Sequence, residues 1–313
     1  MKRRARVTRT PGAMDRLVED YLAWCRARGL SPKTINDGYG YPLRGVFLPF
    51  CDREGIARAD QLSNRVLDRL TSELLEKGGI RGVLSKHTVH SYVRSINHFL
   101  SWAGKEGELG QVKAQTPKLP KKIIDVLSRE EIDQLESAAL NDRDRLIVRL
   151  LADTGIRRGE LVGLRVSDLV ERDRNYYLHV RGKGARDRLV PIPRLHRQFE
   201  RFAQRGRPGG IRTDRIFVSL RRREAGDYAP LTPSGVDQVI STLAQVAGIN
   251  KRVYPHVLRH SYATYALTRG MNPIQLAQIL GHSSLAMIQN VYSHLSPRDA
   301  YEAMANVLIT DQN

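Results

Sequence analysis

Cysteine is nearly missing from this chain of 313 residues. Cys25 and Cys51 alone cannot build a disulfide framework or a four-ligand zinc site, which excludes a disulfide-stapled scaffold and a thiol-rich redox enzyme. Long apolar runs are missing too: nothing approaches the roughly 18 consecutive apolar residues of a spanning helix. The opening MKRRARVTRT has the charge of a secretory leader but no apolar stretch behind it, so secretion is not expected. The phosphate-cradling loops GxxxxGK[ST] and GxGxxG are absent, as are HExxH and CxxC. Any chemistry is therefore expected to run without a nucleotide cofactor or bound zinc. There is no internal repeat and no low-complexity tract beyond the basic start. What remains is expected to be a soluble intracellular protein.

Acidic residues are also in short supply. Asp and Glu number 33 against 51 Lys and Arg, a net charge of +18 and a pI near 10.2. The excess is spread along the chain. Residues 1–120 carry 21 basic and 12 acidic side chains, residues 121–313 carry 30 and 21, so each part has a surplus of nine. A detachable basic tail would not look like this. The pattern suits a polyanion gripped from two sides, with counterion release driving the association. The length suggests two domains, and a hydrophobic fraction of 41% supplies two cores.

The first third reads as a helical bundle. Residues 13–28 repeat Met14, Leu17, Val18, Tyr21, Leu22 and Cys25 at helical spacing and stop at Gly29. Residues 31–52 read as helix although Gly38, Gly40, Pro42 and Gly45 interrupt them. Further helices are expected near 64–77 and 85–103. Residues 110–123, with two prolines and four lysines, read as an interdomain linker. A capping box of Ser128 and Glu131 then opens a second domain. Helices are expected at 128–139 and 142–154, and a β-hairpin at 175–192 around Gly182-Lys183-Gly184. Helices resume near 194–205, 233–247, 256–269, 272–280, 284–293 and 297–309.

Three short stretches carry chemistry. In Thr154-Gly155-Ile156-Arg157-Arg158-Gly159-Glu160, Gly155 ends one helix and Arg157 stands at the start of the next. Unpaired N–H groups there favour an anion, and Glu160 shares a face with Arg157 and is placed to orient it. In Pro255-His256-Val257-Leu258-Arg259-His260, the i,i+3 spacing points His256 and Arg259 the same way. A titratable imidazole beside a fork of donors is useful around a phosphate. The third is Leu280-Gly281-His282-Ser283-Ser284, with Tyr292 ten residues after the histidine. Taken singly, each has an ordinary structural explanation: a surface ion pair, a half-buried histidine, a packing tyrosine, an exposed Lys183.

Taken in order, these motifs resemble the tyrosine recombinase family, which includes the phage integrases and Xer-like enzymes. The resemblance is specific over about 154–292. It is weaker over about 13–105, where it rests on the helical bundle and Gly29-Leu30-Ser31-Pro32-Lys33-Thr34. It implies a mainly α fold with a small β-hairpin or sheet. The domains would be a basic segment 1–12, a core-binding domain 13–109, the linker 110–123 and a catalytic domain 124–313 with a tail helix near 297–309. It implies that Arg157, Lys183, His256, Arg259 and His282 surround a scissile phosphate and that Tyr292 is the nucleophile. The interval of ten residues between His282 and Tyr292 is one of two spacings usual in the family. Arg158 and Gly159 stand where small aliphatic residues are more usual, outside the implied catalytic set.

The implied activity is site-specific recombination of duplex DNA through a 3′-phosphotyrosine intermediate, without ATP or metal, as in integration, excision or dimer resolution. The implied partners are double-stranded recombination sites, three further copies in a tetramer on DNA, and accessory DNA-bending or directionality proteins; no membrane is involved. A nucleoid-associated location follows. With the first helix near residue 13, a simple Xer-like layout is expected, with no further arm-binding domain. Ala300, Ala303, Met304, Val307 and Leu308 form one apolar face on the tail helix, which the resemblance would dock on a neighbouring protomer. Two alternatives use the same scaffold: a type IB topoisomerase-like relaxing enzyme, or a DNA-binding regulator without catalysis.

Overall fold

The structure is a computed structural model, and it describes residues 12–77, 82–119, 125–182, 187–224 and 226–281. The chain divides into two compact units, Met1–Lys121 and Lys122–Asn313.

The first unit holds α1 (Ala13–Ala27), a wide helix over Thr34–Phe47, α2 (Leu48–Arg53), α3 (Asn64–Glu76) and α4 (Lys86–Lys105). Local chemistry sets the limits of these helices. Gly29 takes a left-handed φ of 72° just beyond α1, and Ser63 and Ser85 accept hydrogen bonds from the first-turn amides of Val66 and Thr88. The segment expected as an ordinary helix over 31–52 is instead π-helical for Thr34–Phe47, continuing into α2. A proline ring inside an α-helix clashes with the carbonyl four residues back; the wider turn accommodates Pro42. Tyr21, Phe47, Phe50 and Phe99 fill the core, each essentially without solvent exposure. Burying one such ring stabilises the fold by about 2–3 kcal/mol before entropy is counted. Cys25 and Cys51 are free thiols in this core, and burial pushes the Cys51 thiol up to about 12.

Residues 113–115, within the expected interdomain linker, are hydrogen-bonded to this unit. Asn97 brackets Ala114 with bonds of 3.0 and 2.9 Å, and Asn64 and Asp68 accept from the amides of Lys113 and Gln115 at 2.9 and 3.0 Å. Polar side chains on two helices thus satisfy an extended backbone that composition alone marks as loose.

The second unit begins with α5 (Arg129–Ser137), opened by the Ser128–Glu131 capping box, and α6 (Asp142–Thr154). Apolar residues crowd α6 on nearly every face, and Leu146, Ile147, Val148, Leu150 and Leu151 are all fully buried. Such a helix belongs at the centre of a domain. The short α7 (Arg158–Gly163) follows, then β1 (Leu169–Arg172), β2 (Asn175–Val180) and β3 (Arg188–Pro191). The expected hairpin is therefore two strands of an antiparallel three-stranded sheet, with Leu169 opposite Leu178 and Leu178 opposite Val190. Strand β1 has four residues, too few to show a period. After α8 (His196–Arg201), β4 (Val218–Arg222) and β5 (Tyr228–Pro230) form a second hairpin the sequence did not announce. Then come α9 (Pro233–Val246), α10 (Pro255–Thr268) and α11 (Pro273–Leu280). The helices expected at 284–293 and 297–309 lie outside the described residues. Among the described residues no helix is long and apolar enough to cross a membrane.

Candidate active site

The site is built where α6, α10 and α11 end or begin. Gly155 closes α6 in the left-handed conformation, φ 62° and ψ 19°. A methyl group there would lie 2.6 Å from both Leu280 and Tyr262, so glycine is required by backbone conformation and by space. The chain then turns into α7 through Arg157, its N-cap. The Arg157 amide donates to Glu160 Oε2 at 2.8 Å, and its Nη1 donates to Glu160 Oε1 at 2.9 Å. Glu160 thus orients Arg157, as the spacing suggested.

Helix α10 starts at Pro255, which brings His256 and Arg259 to the same cleft one turn apart. Arg259 is 2% exposed. Its Nη1 donates to the Gly155 carbonyl at 2.5 Å and its Nη2 to the Leu280 carbonyl at 2.7 Å. The end of α11 gathers other guanidiniums as well. Arg188 Nε donates to the Ile279 carbonyl at 2.6 Å, and Arg157 Nη2 to the Gly281 carbonyl at 3.2 Å. Three consecutive carbonyls therefore hold three arginines from three elements. The last carbonyls of a helix lack intrahelical donors and carry partial negative charge, so this end is a natural template for cations.

Two of these arginines, Arg157 and Arg188, share one nearby carboxylate. Glu160 accepts from Arg188 Nη1 at 3.0 Å and Nη2 at 2.8 Å, and it is 8% exposed. Burial alone would raise its pKa, but the bonds from Arg188 and from the Arg157 amide outweigh this and hold it below the usual carboxylate range. Burial first, and then the charge of Arg157, bring Arg259 down to about 9. That direction reflects a guanidinium enclosed among other cations. His256 is open to solvent at one side. Protein atoms crowding its ring, then Arg259, Arg157 and Arg158, hold it below the ordinary histidine range. It therefore stands neutral near pH 7, edge-on to His260 with ring centres 4.7 Å apart.

The groups open onto a cleft of 1120 Å³. Arg158 and Arg181 also stand on its walls, ion-paired to Asp237 and Asp168 respectively. Three residues flagged in the sequence, Arg157, His256 and Arg259, meet in this cleft. Lys183, His282 and Tyr292 lie outside the described residues. Gly182 and Gly281, which precede Lys183 and His282 in sequence, line the same cleft. Sequence reasoning overlooked Arg188. Its one signal was an arginine entering the apolar Leu189-Val190 strand with no acidic residue placed to pair with it in that strand. Among the described residues no group of three or more His, Cys, Asp or Glu is placed to hold a metal ion.

Such a fold, with a cluster of arginines and a histidine around one cleft, matches a known class of DNA-strand-exchanging proteins. The model of the phage integrase family matches residues 125–298. The chain is 31% identical over 304 residues to the tyrosine recombinase XerA of Pyrococcus furiosus, covering 93% of this chain and 94% of that one. It is 29% identical over 299 residues to the tyrosine recombinase XerD of Oceanobacillus iheyensis, covering 91% and 97%. In fold it resembles the XerH site-specific recombinase solved in a post-cleavage complex with palindromic difH substrate. The TM-score is 0.69 at 20% identity, over 92% of this chain and 83% of the other. The chain belongs to the phage integrase family of tyrosine recombinases.

Proposed function

We propose that this chain is a site-specific recombinase that cuts and rejoins duplex DNA through a covalent protein–DNA intermediate. The observation that carries the reading is the convergence of Arg157, His256 and Arg259 on one arginine-rich cleft, the imidazole being neutral. Attack on a phosphodiester places extra negative charge on the non-bridging oxygens, and two fixed guanidiniums meet that charge. In this reading Tyr292 Oη attacks phosphorus, and His256 accepts the phenolic proton. The bond from phosphorus to the 5′ oxygen breaks, Lys183 gives that oxygen its proton, and His282 donates a hydrogen bond to the phosphate. The products are a 3′-phosphotyrosine and a free 5′-hydroxyl. The phosphotyrosine conserves the phosphodiester bond energy, so a 5′-hydroxyl from a partner duplex reverses the step without ATP.

The reading extends to four copies assembled on two duplexes, and to a place in the cytoplasm with the nucleoid. Its test is single-turnover cleavage by Arg157→Ala and Arg259→Ala. Each is expected to slow covalent-adduct formation by roughly a hundredfold or more, as loss of an oxyanion ligand does. Full-rate cleavage by either variant overturns that residue's assignment.

A further inference from the structure

We propose that Arg188 is a positioning residue for strand cleavage: through Glu160 it holds the Arg157 guanidinium, with its charge only partly offset, where the phosphate binds. The proposal rests on the reading of Arg157 as a phosphate ligand.

The two arginines that share Glu160 are not equivalent. Arg188 is nearly enclosed, with 11% of its side chain exposed, and it spends its donors inside the protein on both Glu160 oxygens and on the Ile279 carbonyl. Arg157 has 43% of its side chain exposed and only one side-chain bond to the carboxylate, with a longer one to the Gly281 carbonyl. Arg188 is therefore the fixed partner and Arg157 the one facing outward.

The geometry leaves Arg188 little slack. A methyl group on Gly281 would come within 2.9 Å of its Nη1, so the guanidinium is packed against the backbone at the end of α11. Bidentate geometry aligns both carboxylate oxygens at once, which a point charge cannot do. With Arg188 present, each Glu160 oxygen takes one bond from Arg188 and one from Arg157, the second of these through the Arg157 amide. Without Arg188, a carboxylate that is 8% exposed has Arg157 as its remaining arginine. A buried charge left with one partner draws that partner fully onto itself. Arg157 then turns inward, and its charge is cancelled by Glu160 rather than offered to DNA. The same carboxylate that orients Arg157 would then compete with the phosphate for it.

The experiment is a double-mutant cycle of Arg157→Ala, Arg188→Gln and the pair, read as single-turnover adduct formation. The substrate is a nicked duplex selected from a random-sequence library by adduct trapping with the unaltered chain. Arg188→Gln is expected to slow adduct formation at least tenfold with DNA affinity changed less than threefold. The double variant is expected to be no slower than Arg157→Ala alone, because residues that act through one another do not add. On a duplex with a neutral methylphosphonate at the scissile position, the Arg188→Gln deficit should shrink below threefold, since the charge that Arg157 answers is gone. Arg188→Lys, which keeps a cation without the fork, carries the same test if melting shows that Arg188→Gln does not fold; an intermediate loss is expected. Losses that multiply in the double variant, or a methylphosphonate deficit as large as the natural one, would mark Arg188 as merely structural and overturn the proposal. Unimpaired adduct formation by Arg157→Ala overturns the reading of the cleft itself, and this inference with it.

Discussion

In the proposed mechanism His256 must be neutral to accept the Tyr292 proton, and its surroundings favour that state. The sign is fixed by the direction of its shift: crowding of the ring, followed by Arg259, Arg157 and Arg158, disfavours the charged form. The imidazole therefore stays deprotonated to a pH below the ordinary histidine value, and activity that depends on it is lost only as pH falls through that lowered pKa. The second-order rate of adduct formation at sub-saturating DNA reports the free protein. Its acid limb is expected below pH 6.5, the ordinary value, and His256→Ala should erase that limb while slowing the reaction by about a hundredfold or more. An acid limb above the ordinary value would contradict the role. The pairings of Arg157 with Glu160 and of His256 with Arg259 were legible because sequence spacing preserves i,i+3 neighbours, while their roles came from the family resemblance. Arg188 was not legible, because the carboxylate it serves is 28 positions away and only the sheet brings the two together.

At the scale of elements, the junction of α6 and α7 carries the site. Gly155 has φ 62° and no space for a methyl group. Gly159 sits within α7, and a methyl group added there would meet no heavy atom within 4 Å. Gly155→Ala is expected to lower stability by about 2 kcal/mol or more, from a strained φ and a clash with Leu280 and Tyr262. Gly159→Ala should be neutral or gain up to about 1 kcal/mol from helix propensity. Urea unfolding checks both, and equal effects would contradict the account. Helices with a clear apolar stripe and a cap, such as α1, α3, α4 and α5, could be read from sequence within a residue or two. Strands β1, β4 and β5 could not, because three to five residues give no period. The π-helical turn around Pro42 was hidden for a related reason: a proline signals a break, and only the packed structure decides between a break and a wider turn.

Over the whole molecule, the charge of +18 is shared by both parts of the sequence, so DNA binding should be strongly electrostatic. A log–log plot of affinity against salt is expected to be linear, with a slope near −0.9 for every phosphate neutralised. A loss of about a thousandfold between 50 and 200 mM salt would correspond to six or more such contacts. A flat response would contradict a basic surface that grips DNA. The central claim is nonetheless chemical: that the chain joins itself to DNA through Tyr292. The most direct measurement is recovery of an SDS-resistant protein–DNA adduct on a selected site, comparing the unaltered chain with Tyr292→Phe. The account predicts that the variant binds the site with unchanged affinity and forms no adduct, and that the DNA-bearing peptide of the unaltered chain contains Tyr292. An adduct that persists in Tyr292→Phe, or one mapped to Tyr301, would contradict it.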